Sequence, residues 1–253
     1  MSSTPDATPQ ADGAPLFLVD DVPDGDVLAV DGAEGRHAVD VLRLAVGERV
    51  RVSDGRGLLV EGSVLSAAES TLQVQVIARH DVPAPDPTFV LVQALPKGDH
   101  GPLAVDLATE LGVDRIVPWT AARCVTRWRE DRVDKGLAKW RAVARAASKQ
   151  ARRPRVPEVT EPMSTRQVCG MLGDLDLALV LHEQARTSFL KVDVPRNGTI
   201  AVVVGPEGGL TDGEVVAFRA AGGLPVRLGA EVLRTSTAGA AALAALSAKT
   251  RWV

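Results

Sequence analysis

Over residues 16–80, short apolar runs alternate with turn signals such as Asp24-Gly25, Asp31-Gly32 and Asp54-Gly55. That rhythm predicts short strands, at 27–30, 49–52, 58–64 and 72–78. Residues 36–44, RHAVDVLRL, break it: Val39 and Leu42, with Ala38 and Val41, fit one or two helical turns. A small β-barrel with one short helix accounts for the stretch. Residues 82–87, VPAPDP, hold three prolines in six positions and read as a stiff extended linker.

Beyond the linker the period changes. Residues 89–94, 115–119, 175–181 and 199–204 are apolar runs of the kind buried in a parallel sheet. Between and after them, helical patterning covers 103–111 (stopped by Gly112), about 132–153, 211–221 and 238–249. Alternation of this kind predicts an α/β layer fold with a parallel sheet. The expected division is 1–14 as a disordered N-terminus, 15–82 as the barrel, 83–87 as linker and 88–253 as the α/β domain.

Composition narrows the class. Hydrophobic residues are 45% and charged residues 24% of 253, the balance of a globular protein. No apolar run is long enough to span a bilayer, and the first 15 residues lack the basic start and apolar core of a secretory signal. Cys124 and Cys169, the only two cysteines, are too few for a metal set or a disulfide scaffold, and both are read as reduced thiols of a cytoplasmic protein. No metal is expected.

Net charge is -3, but its distribution is uneven. Residues 123–155 carry twelve Lys or Arg against three acids, so this stretch is +9 and the remainder -12. Within it Leu137, Trp140, Ala144, Ala147 and Ala151 form a buried stripe, which makes Trp140 core, while Arg141, Arg145, Lys149 and Arg152 form a basic row beside it. Like charges four residues apart repel, and a polyanion would offset that cost. The plainer reading of such a row is a solvated helix face; the asymmetry favours nucleic acid.

The strongest local signal is residues 199–214, TIAVVVGPEGGLTDGE: a buried strand, a glycine-rich turn, then a Thr211/Glu214 capping box opening a helix. It is neither a dinucleotide fingerprint nor a P-loop. Glycines there let backbone approach a ligand at the carboxyl end of the sheet. His182 lacks a second His at zinc spacing and reads as structural.

Three segments, LHEQA, VVVGPEGGLTDGE and RLGAEVLRTSTA, resemble the cofactor-loop motifs of the SPOUT methyltransferases. With RHAVDVLRLAVGERVRVSDG, LPKGDHGPLAVDLATELGVDRIVPWTAARCV and KWRAVARAASKQARRPRVPEV, the chain is similar from Leu16 to Leu246 to the RsmE subfamily, the small-subunit ribosomal RNA uracil-N3 methyltransferases. The resemblance implies a PUA-like barrel followed by a trefoil-knotted α/β methyltransferase domain. It implies S-adenosyl-L-methionine as cofactor, 16S ribosomal RNA (within the small subunit) as partner, and a homodimer. The implied cofactor residues are Leu181 and His182; Gly205, Pro206, Glu207, Gly208 and Gly209; and Leu228, Gly229, Leu233, Thr235, Thr237 and Ala238.

The third loop departs from the usual L-G-x-R-I-L-R-T-E-T-A: Glu231 stands for the Arg and Ser236 for the Glu. Ser236 is a poor general base. The expected catalytic set is therefore Arg234, stabilising a developing uracil anion, with Glu231 or Glu207 taking the proton, and Ser236 in place of the usual acid. Arg234 reads equally as a phosphate or inter-subunit contact. Expected RNA contacts are Arg36, Arg43, Lys97, Arg123, Arg141, Arg145, Lys149, Arg152 and Arg153, whereas His37 reads at least as well as local structure. Two alternatives stay open: a non-catalytic ribosomal RNA-binding or assembly protein, and a methyltransferase of the same fold with another RNA target.

Overall fold

The computed structural model describes residues 13–128 and 130–252. Most of the N-terminal stretch expected to be disordered lies outside the described residues; Ala14, its last residue, is buried. Contacts divide the chain into two units, Met1–Ala84 with Ser148–Val156, and Pro85–Ala147 with Pro157–Val253.

The first unit contains β1 (Leu16–Leu18), β2 (Val27–Val30), α1 (Gly32–Arg36), a π-turn (His37–Val41), β3 (Arg49–Ser53), β4 (Leu58–Ala68) and β5 (Thr71–Asp81). They form one sheet in the order β1-β3-β4-β5-β2, antiparallel except for the β1–β3 pair. Alternation directs Val50, Val52, Val60, Val64, Leu72 and Val74 inward onto Phe17, Leu28 and Val30. β4 and β5 outrun the predicted strands because Glu61/Gly62 and Val64/Ser66 carry register shifts that bend the pair without ending it. The helical turn starts at Gly32, earlier than its apolar pattern suggests, and Gly35 packs where a Cβ would overlap the carbonyls of Val30 and Ser70.

Residues 148–156 belong to this unit through hydrogen bonds that sequence proximity does not suggest. Val156 N donates to Gly55 O (2.8 Å), Ser53 Oγ to Pro154 O (2.9 Å) and Arg155 Nε to Val82 O (2.9 Å).

The second unit contains β6 (Thr88–Ala94), α2 (His100–Glu110), β7 (Arg115–Thr120), α3 (Glu130–Gln150, whose last three residues fall in the first unit), β8 (Glu158–Val159) and β9 (Met163–Ser164). After these come α4 (Thr165–Leu172), β10 (Leu177–Leu181), β11 (Thr187–Ser188), β12 (Thr199–Val204), α5 (Asp212–Ala220), β13 (Leu224–Arg227) and α6 (Thr235–Lys249). The strands form one parallel sheet, β11-β13-β10-β12-β6-β7-β8, with β9 also on β7. Near-continuous apolar runs such as TIAVVV and FVLVQA suit strands covered on both faces, and β12 and β6 are buried along almost their whole length.

The chain leaves β12 through α5, places β13 on the far side of β10, and returns with α6 against β12 and β6. α6 begins three residues before its apolar pattern predicts, with Arg234 as an extended N-cap whose carbonyl receives Thr237 N and Ala238 N. Its Ala/Gly composition permits close packing: a Cβ on Gly239 would sit 2.8 Å from Leu91 Cδ1. Trp140 is core as predicted, 3% exposed, and Trp128 meets it edge-on at 5.2 Å.

Candidate functional site: a loop-lined cavity at the carboxyl end of the sheet

β10, β12 and β13 are adjacent parallel strands, so the loops leaving them emerge at the same sheet edge. Those loops and the start of α6 enclose a cavity of about 510 Å3, within the range that small-molecule sites occupy. From the first loop come Leu181, His182 and Glu183; from the second, Gly205, Pro206, Glu207, Gly208, Gly209 and Leu210. From the third come Leu228, Glu231, Val232, Leu233 and Arg234, with Thr235 and Ala238 of α6. Most of the expected cofactor and catalytic residues are thus brought together. Gly229, Ser236 and Thr237 do not line the cavity, and Ser236 is 2% exposed inside the first turn of α6.

Short hydrogen bonds hold the glycine loop in shape. Gly209 takes φ +70°, open to glycine at little cost, and Gly209 N bonds to Pro206 O (2.9 Å). A Cβ on Gly205 would stand 2.9 Å from Leu210 Cδ2. Thr235 Oγ1 donates to Gly205 O at 2.8 Å, and Arg123 Nη1 to Gly208 O at 2.9 Å and Leu210 O at 3.2 Å. Lys97 N donates to Glu207 Oε1 at 2.9 Å. The Thr211/Glu214 capping box forms as predicted, and buried Glu214 also accepts from Ala122 N at 2.8 Å.

In the first loop, His182 Nδ1 accepts from Gln184 N at 3.2 Å, which puts the proton of the neutral ring on Nε2. The first turn of α6 supplies N–H groups without intrahelical partners, a setting that favours a carboxylate or other anion.

His100, at the start of α2, also lines the cavity. Sequence reasoning missed it, although it lies in the PKGDH run from which Lys97 was chosen. The signal was its place just after an apolar strand, at the sheet edge where the other loops emerge. Burial pushes the Cys124 thiol above its ordinary value, helped by the charges of Glu207 and Glu214.

The expected RNA contacts fall into two groups. Arg36, Arg43, Lys149, Arg152 and Arg153 belong to the first unit, and Lys97, Arg123, Arg141 and Arg145 to the second. Arg43 and Arg152 both adopt left-handed backbone, φ +54° and +56°. The basic row of α3 is less frustrated than its spacing implies, because acids from other segments pair with it. Lys149 Nζ meets Glu34 at 3.0 Å and Arg141 Nη2 meets Glu161 at 3.1 Å, while Lys139, on the same helix, meets Asp99 at 2.8 Å. Among the described residues no group of three or more His, Cys, Asp or Glu is placed to hold a metal, and no helix is long and apolar enough to cross a membrane.

A parallel α/β sheet with a glycine-loop cavity, preceded by a small antiparallel sheet, defines a class. The RNA methyltransferase domain family matches residues 84–247, and the RNA methyltransferase PUA domain matches residues 30–77. The chain is 45% identical over 245 residues to ribosomal RNA small subunit methyltransferase E of Mycobacterium bovis, covering 94% of each chain. It is 29% identical over 230 residues to the Bacillus subtilis protein of the same name, covering 88% of this chain and 90% of that one. The chain belongs to this RsmE family of RNA methyltransferases. A solved ribosomal RNA small subunit methyltransferase E from Neisseria gonorrhoeae, bound to S-adenosyl methionine, is similar to it with a TM-score of 0.82 at 26% identity, covering 94% of this chain and 98% of that one.

Proposed function

We propose that this protein transfers a methyl group from S-adenosyl-L-methionine to N3 of one uridine in 16S ribosomal RNA, in the cytoplasm and as a homodimer with the knotted topology of its class. The observation that carries the reading is the cavity itself: three loops at one sheet edge, one of them glycine-rich, closed by the start of a helix. The residues fit the cofactor. Apolar Leu181, Leu233 and Ala238 suit an adenine ring, and the glycine positions admit backbone contact where a side chain would clash. Leu181 and His182, the Gly205 to Gly209 loop, Leu228 and Leu233, and Thr235 with Ala238 would hold it.

When bound, the cofactor supplies an electrophilic methyl group on a sulfonium. The protein's work is then placement and charge control. Arg234, on the cavity wall, stabilises the uracil anion as N3 loses its proton. Glu231 takes that proton. Glu207 serves less well, since Lys97 N already occupies one of its carboxylate oxygens. Arg36, Arg43 and the basic residues of 123–155 hold the RNA, with affinity that falls as salt rises.

A protein that binds ribosomal RNA without chemistry gained support from Ser236 alone. Ser236 is buried and does not line the cavity, so it is itself no part of the wall described here.

The test is to incubate the protein with labelled S-adenosylmethionine and small ribosomal subunits lacking the modification, then map labelled nucleosides by mass. A single 3-methyluridine is expected. Cofactor binding without transfer would point to another RNA or base atom, and no cofactor binding would leave an RNA binder.

A further inference from the structure

Gln93 is the one polar residue in the otherwise apolar run of β6 after Thr88, and it is fully buried. Its Nε2 donates to Thr235 Oγ1 at 2.9 Å and to Ala94 O at 3.1 Å. Thr235 Oγ1 in turn lies 2.8 Å from Gly205 O. Gly205 O can only accept, so the single hydroxyl proton of Thr235 goes there, and Thr235 must accept from Gln93. The direction of every bond in the chain Gln93→Thr235→Gly205 is therefore fixed, and so is the orientation of the Gln93 amide. Gln93 Oε1 is left buried with no hydrogen-bond partner among the described residues. A buried acceptor without a partner is unfavourable and uncommon, which marks this side chain as kept for what its amide N–H groups do.

We infer that Gln93 is a positioning residue: through Thr235 it holds the Gly205 carbonyl, and so keeps the glycine loop in its cofactor-accepting shape before the cofactor arrives. The geometry joins three elements that the sequence keeps far apart, the end of β6, the first residue of α6 and the loop after β12. The loop is then preorganised, and binding need not order it. The inference rests on the proposed cofactor site, but half of its test does not.

The decisive variants are Gln93→Glu, Thr235→Val and Thr235→Ser. An ionised carboxylate cannot donate, so in Q93E the Thr235 proton turns towards the carboxylate and releases Gly205. T235V removes the link outright, and T235S keeps it. Amide hydrogen exchange over residues 205–209 is followed in cofactor-free protein, and S-adenosylmethionine affinity is measured by calorimetry at pH 7 and pH 9. Expected are faster loop exchange and at least tenfold weaker binding for Q93E at pH 9 and for T235V. The double variant should be no worse than either single one, and T235S, which keeps the hydroxyl, should keep the parent's loop exchange. Thermal midpoints identify a variant that fails to fold, and the T235S/T235V contrast then stands on its own. Unchanged loop exchange and affinity in Q93E at pH 9, or effects that multiply in the double variant, would overturn the inference. If the parent protein binds no S-adenosylmethionine, the functional reading fails while the exchange data still decide the relay.

Discussion

Arg123 Nη1 donates to the carbonyl of Gly208 at 2.9 Å, with Leu210 O a second acceptor at 3.2 Å. A residue expected from its charged neighbourhood to meet RNA thus has one guanidinium nitrogen on the loop that borders the cavity. Removing it leaves two carbonyls without this donor and frees the loop. Arg123→Ala should weaken S-adenosylmethionine binding by about 1.5–3 kcal/mol, the range of a hydrogen bond to a charged group. Calorimetry with cofactor alone checks this, and unchanged affinity would show the contact to be incidental.

Glu231→Gln keeps the shape of the cavity wall and removes the proposed proton acceptor. Turnover should drop at least tenfold. His100→Gln is the control on the same wall: its turnover should fall by less than about threefold. The reverse pattern would move the proton-accepting role to His100.

The second unit is tied at its end by Arg251. Its guanidinium lies 3.7 Å from the Phe89 ring centroid, pairs with Asp114, and donates to Pro87 O and Gly112 O. The pair is mostly buried, so Arg251→Ala should lower unfolding free energy by about 2–4 kcal/mol, leaving Asp114 and two carbonyls short of donors. Denaturant titration measures it, and a change below about 0.5 kcal/mol would mean the ring contact and ion pair contribute little.

Close packing of α6 on β6 gives a second stability prediction. Gly239→Ala places a methyl 2.8 Å from Leu91 Cδ1, and overpacking of this kind costs about 1–3 kcal/mol. A Gly239→Ala/Leu91→Val double variant should recover part of the loss.

The thiols differ in environment. Cys124 is buried and Cys169 only partly so, and desolvation raises both above the ordinary cysteine value. The thiolate is the reactive form, so both alkylate slowly at neutral pH, Cys169 first, and the rates rise with pH. Mass spectrometry of partly alkylated protein orders them; in denaturant the difference should vanish.

What the sequence disclosed follows from which interactions are local. β12 was read from its apolar run and the Thr211 capping box from two residues three apart, because both signals lie within a few positions. α4 was missed although Ser164 and Gln167 form a capping box there, since its short pattern is interrupted by Cys169 and Gly170. The placement of 148–156 in the first unit depends on partners such as Ser53 and Val82, about 70 to 100 residues away. For the same reason the pairing of Lys149 with Glu34, and the role of Gln93, could not be read from spacing. Thr235 could be placed in the cofactor loop from its motif; its partner on β6 could not.

The pairing of β12 with β6 also sets a timetable. Residue 88 lies opposite residue 199, so the middle of the parallel sheet cannot form during synthesis until more than a hundred further residues have left the ribosome. α6, which covers both strands, comes later still. Until then FVLVQA presents an apolar strand with no lateral neighbour on that side, a state prone to association between nascent chains. Folding of this unit should therefore gain from chaperone protection or rapid completion of the chain, whatever the stability of the finished fold.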